Sequence, residues 1–205
     1  MSLIRAAPGT RPPAGPGLLE FPIMRAFYRG LALALLASAA AGAEPRLSEV
    51  RVALEDGSVK VSFELLDAFS DETMERIRTG LPTGFVYQFR LDRDRKRWFD
   101  ASLAARTLQV VAMYNAVTAE YLVNFKLDGE LVESRVVRER LNLELALTRL
   151  AGVPIFDLES IDTPDRVLVR ARADLGSKTG FLFLPTKVTT GWHRSRKFRA
   201  TDEAG

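Results

Sequence analysis

Apolar residues alternate with polar ones at Val50, Val52 and Leu54, and again at Val59, Val61, Phe63 and Leu65, with Glu55-Asp56-Gly57-Ser58 between the runs. Asp-Gly between two alternating runs is a strong hairpin signal, because both turn positions favour positive φ. The pattern returns further on. Phe85, Tyr87, Phe89 and Leu91 alternate, as do Tyr121, Val123, Phe125 and Leu127, and Asp128-Gly129 offers a second hairpin into Leu131 and Val132. Leu103 to Tyr114 is apolar in both registers, which predicts a central strand covered on both faces. Val167, Val169, Ala171 and Ala173 form a last clear strand after the Thr163-Pro164-Asp165 turn. Asp92 to Arg97 reads as a turn, and Phe181 to Leu184 as an apolar segment of unassigned type.

Two helices are predicted among these strands. Ser70 is placed to cap the first, and Asp71 and Glu72 suit the positive end of its dipole. Phe69 before the cap and Met74 inside the helix have the spacing of a hydrophobic staple. Met74, Ile77 and Leu81 repeat at helical spacing, and Gly80 and Pro82 end the helix at about Thr79. The second helix is read as Val136 to Leu150. Val137, Leu141, Leu145 and Thr148 make one ridge with Leu143, Leu147 and Leu150 beside it, and Gly152 and Pro154 follow as a stop. The expected fold class is α+β: a mostly antiparallel β-sheet or sandwich-like core of six or seven strands, with one short and one longer helix. Hairpin-sized connections disfavour a doubly wound parallel sheet.

Ahead of this domain, Met24 to Pro45 reads as a secretory signal peptide. Arg25 and Arg29 supply the basic head, Gly30 to Ala41 a 12-residue apolar run, and Ala41-Gly42-Ala43 a small-x-small cleavage site. The run falls short of the roughly 20 residues that span a bilayer. The expected organisation has residues 1–23 as a disordered leader or an extension ahead of a start at Met24, then a signal peptide over 24–43 cleaved after Ala43. A single exported α+β domain follows over 44–199, with a frayed tail over 200–205. The expected location is the periplasm or cell envelope.

The leader also holds Arg5, Arg11, Arg25, Arg29 and Glu20, so the remainder keeps 25 of the 29 basic and 25 of the 26 acidic residues and is formally neutral. The precursor's pI of about 9.4 therefore gives no case for nucleic-acid binding. A chain of 162 residues from Glu44 to Gly205 buries about 70% of its unfolded surface and needs no staple. It has no cysteine, which excludes disulfides, a thiol nucleophile, a thiolate metal site and a lipidated N-terminal cysteine.

Sites for chemistry are sparse. His193 is the single histidine, set in Trp192-His193-Arg194-Ser195-Arg196-Lys197 with no carboxylate nearby in sequence to orient it as a base, and it reads as a surface residue. Asp67, Asp71, Glu72 and Glu75 are the best acidic cluster for a metal, but the helix dipole already accounts for acids there. Neither GxGxxG nor GxxxxGK[ST] occurs. No catalytic, cofactor-binding or metal residue is assigned, and no cofactor is expected. Two basic-aromatic segments, Arg93 to Trp98 and Trp192 to Arg199, suit anionic headgroups, wall polymer or an acidic partner on one reading, and a solvated loop and tail on the other.

Leu66-Asp67-Ala68-Phe69-Ser70-Asp71-Glu72, Ile77, Gly80-Leu81-Pro82-Thr83 and Phe85 resemble the leading signature of a bacterial exported family classed as domain of unknown function 4390. Tyr114 to Tyr121 resembles that family's tyrosine-containing turn, and Thr186 to Trp192 its C-terminal segment. The resemblance covers Leu47 to Arg199. Some relatives are richer in tryptophan after the third strand, where this chain has Trp98-Phe99. The resemblance implies export and a compact β-rich fold, and supplies no catalytic residues. The expected function is a non-enzymatic envelope binding or interaction module serving an envelope protein or membrane sensor. The alternatives are a peripheral membrane or wall-associated protein and a carboxylate-based hydrolase.

Overall fold

The structure is a computed structural model that describes residues 43–94, 101–161, 163, 165–179 and 185–201. Its strands, in chain order, are β1 (Arg46–Leu47), β2 (Arg51–Glu55), β3 (Ser58–Leu66), β4 (Thr83–Arg93), β5 (Ala101–Asn115), β6 (Glu120–Leu127) and β7 (Glu130–Val137). They continue with β8 (Arg149–Asp157), β9 (Val167–Thr179), β10 (Pro185–Thr189) and β11 (His193–Arg194). Helix α1 (Asp71–Arg78) lies between β3 and β4, and α2 (Arg140–Thr148) between β7 and β8. The antiparallel α+β class expected from the sequence is what forms.

The strands make two sheets. In the smaller, β1 and β2 run end to end along one side of β3, and β8 pairs with its other side. In the larger, β10 and β11 run end to end beside β9, followed by β4, β5, β6 and β7. Each end-to-end strand is stitched by a hydroxyl. Ser48 N donates to Glu64 O while Ser48 Oγ accepts from Glu64 N, both at 2.8 Å. Thr190 does the same against Ala173, and Ser195 against Val169. The side-chain oxygen stands where a ladder carbonyl would, so no buried amide is orphaned at the irregularity.

The sheets meet through Phe63 of β3, whose ring lies 5.3 Å from Tyr87 and 6.1 Å from Phe89 of β4. The helices also pack on the larger sheet. Met74 and Ile77 of α1 and Leu143, Ala146 and Leu147 of α2 are buried. Burial pushes the Tyr87 phenol pKa far up, and its hydroxyl donates to Leu147 O at 2.6 Å. That carbonyl lies in the last turn of α2, where no intrahelical donor remains for it.

Both Asp-Gly hairpins form with positive φ, 52° and 68° at Asp56-Gly57 and 49° and 93° at Asp128-Gly129. The cap of α1 forms too, with Thr73 N donating to Ser70 Oγ at 3.2 Å. Other expectations are corrected. Helix α2 is nine residues, one more than α1: Val136 and Val137 finish β7, and Arg149 and Leu150 begin β8. Gly152 and Pro154 therefore lie inside a strand. Leu141, placed on the buried ridge, is 63% exposed. Strand β5 is central, but Met113 on its outer face is open to solvent. Asp92 is no turn residue; it is buried in β4 with its carboxylate 2.6 Å from Arg170 Nε of β9. Phe181 to Leu184 lies outside the described residues.

Candidate functional site

The larger sheet ends at β7 and the smaller at β8, and a groove of about 690 Å³ lies between these two edges. Its floor is apolar, from Leu108, Phe125, Val153 and Ile155. Its rim carries two basic residues, Arg106 and Arg135, and four acidic ones, Asp128, Glu130, Glu133 and Asp157. Several of these are held in place. Asp128, in the β6–β7 turn, accepts from Thr107 N and from Arg106, both at 2.8 Å, which ties the hairpin back onto β5. Arg135 grips Glu133 through two hydrogen bonds and lies 4.6 Å from the Phe125 ring. The hydrogen bonds and charge of Arg135 hold the Glu133 carboxyl below its ordinary range. A general acid needs the opposite shift. On the smaller sheet, Pro154 and two register breaks interrupt the pairing side of β8.

The residues weighed from sequence do not gather in this groove. His193 is partly buried on β11, opposite Ala171. Of the acidic cluster, Asp71 Oδ1 lies 2.5 Å from Arg140 and Asp67 3.8 Å from Arg46. Among the described residues, no three of His, Asp and Glu converge in a metal-binding arrangement. The tyrosine-containing turn is a hairpin in which Tyr114 and Tyr121 face each other across β5 and β6, rings 5.0 Å apart.

Of the first basic segment, Arg93 and Asp94 are described, and the rest lies outside the described residues. The described ends of the two basic segments adjoin, with Lys197 Nζ 2.9 Å from Asp94. Three of their described cations have an acidic neighbour. Arg93 lies 3.7 Å from Asp165, and Arg196 3.8 Å from Glu49. Phe198 packs on the core and pairs with Val167. Arg90 and Arg172 both stack on Trp192, with guanidinium carbons 4.9 and 4.6 Å from its ring. The solvated-tail reading with aromatics on the core edge fits this end of the molecule best.

The groove escapes sequence reasoning because its walls come from strands separated by a helix, and the wall residues of β8, from Ala151 on, carry a helix-stop signal at Gly152 and Pro154 rather than a strand pattern. Among the described residues, no helix is long and apolar enough to cross a membrane. No curated protein and no solved structure matches the chain significantly. The segments around Ser70, Tyr114 and Thr186 that resemble one family fall in a single antiparallel domain, and over residues 42–192 the chain matches, and belongs to, the family described as Domain of unknown function (DUF4390).

Proposed function

We propose that the protein is an exported envelope interaction module that takes an extended, apolar and basic segment of a partner protein in the groove between β7 and β8. The carrying observation is the groove's composition: an apolar floor under a rim of four acids and two arginines. Such a rim repels anionic polymers and lipid headgroups and favours cations beside apolar side chains. The leader sequence supports export, with cleavage after Ala43.

The test is titration of short extended peptides that alternate apolar and basic residues, against counterparts with acidic residues, into the parent and a Glu130→Lys/Asp157→Lys variant. The basic peptides are expected to bind the parent in a salt-sensitive way and to lose most of that affinity in the variant. Preference of the parent for acidic peptides, or equal binding by the variant, would overturn the reading.

A further inference from the structure

We propose that β7 pairs with β7 of a second copy of this chain, antiparallel about Ser134, joining two larger sheets into one. This goes beyond the groove reading and does not rest on it. Among the described residues β7 pairs with β6 alone, and every residue from Glu130 to Val136 is exposed. Natural edge strands are usually blunted by charged side chains, bulges, proline or cover, and this one carries both charges and a bulge. It also exposes Leu131, Val132 and Val136, at 59%, 56% and 60%.

The order of residues along this edge matches its own reverse. Reading outward from Ser134, Glu133 lies on one side and Arg135 on the other, then apolar residues on both sides. An antiparallel copy centred on Ser134 therefore sets Glu133 opposite Arg135 of the second copy, twice. Opposite charges directly across a strand pair are favourable, and like charges are not.

The register respects the faces of the sheet. Leu131, Ser134 and Val136 stand opposite Lys126, Asn124 and Leu122, on the outer face. Glu133 and Arg135 stand opposite the buried Phe125 and Val123, on the inner face. A register break between these pairs leaves Val132 as an extra residue. With that bulge counted as one position, Leu131 falls opposite Val136 of the second copy on the outer face. Met113, Leu122 and Val136 form a cross-strand row that ends at this edge. Leu131 of the second copy would extend it.

One strand pair is a small interface, so the association is expected to depend on concentration. Two charge variants and one cysteine variant test it. Arg135→Glu sets Glu against Glu across the dyad, and Glu133→Arg sets Arg against Arg. Sedimentation across a concentration series should show dimers for the parent, monomers for each variant alone, and dimers again when the two variants are mixed. Mixing restores both opposite-charge pairs without restoring either parent sequence.

The chain has no cysteine, so Ser134→Cys reports the dyad directly. Facing antiparallel residues have Cα atoms about 4.5 or 5.5 Å apart, and both spacings fit a disulfide. Oxidised Ser134→Cys should run as a covalent dimer, and Val136→Cys, set away from the dyad, should not. A parent monomeric at every concentration, a mixture that stays monomeric, or equal cross-linking at both positions would overturn the proposal.

Discussion

Gly84 shows what a single position controls. A Cβ built there would lie 1.9 Å from Val110 O and 2.7 Å from Val111 Cα, so β4 and β5 approach too closely for any side chain. Strand β5 is paired on both sides and has little freedom to retreat. Gly84→Ala is expected to cost about 3 kcal/mol or more, the upper end for overpacking a well-packed site. In urea melts the midpoint should fall with the slope unchanged. An unchanged midpoint would mean that β5 yields. This constraint was invisible in the sequence, where Gly84 follows a Gly-Leu-Pro-Thr stop and resembles loop. The Asp-Gly turns were readable, because their requirement for positive φ is local. Gly84 answers to a carbonyl 26 residues away.

At the level of elements, the two helices make a contrast. For α1 the start was legible to the residue: Ser70 supplies the capping oxygen, and Asp71 and Glu72 sit in the first turn. Ser70→Ala should lower stability by about 1 kcal/mol, since it leaves Thr73 N without its acceptor. Denaturant melts check this, and no loss would show that water serves the amide equally well. Helix α2 has neither signal. Its cap residue, Glu139, makes no side-chain capping bond, and its first turn holds no acid. Leucines at helical spacing run from Val137 to Leu150, so periodicity alone overshot at both ends. Tertiary pairing sets the boundaries instead: Val137 pairs with Tyr121, and Arg149 with Glu64. That overshoot takes in only Arg149 and Leu150 of β8; the residues that wall the groove, from Ala151 on, were hidden by the stop signal of Gly152 and Pro154 instead.

Across the whole domain, formal neutrality hides an ordered arrangement of charge. The carboxylates shifted below their usual range include Asp174 beside Lys187, Glu133 beside Arg135 and Glu120 beside Arg138. All three lie on β9, β7 or β6 of the larger sheet. Asp174 is the most sheltered of the three. Burial pushes its carboxyl up, but hydrogen bonds from Lys187 and Gly176 N, and the charges of Lys187 and Arg172, outweigh that and leave it low. A depressed folded-state pKa means that the unfolded chain binds protons first as pH falls. The stabilisation is then complete above the unfolded carboxylate value of about 4 and is lost as pH drops through the folded value. Urea melts should therefore give a stability that is flat from neutral pH to about 5 and falls below about 4. Lys187→Ala should lower the neutral plateau and soften the acid fall, because Asp174 then titrates nearer its unfolded value. An acid limb identical in parent and variant would show that the edge held by β10 contributes nothing to the acid response.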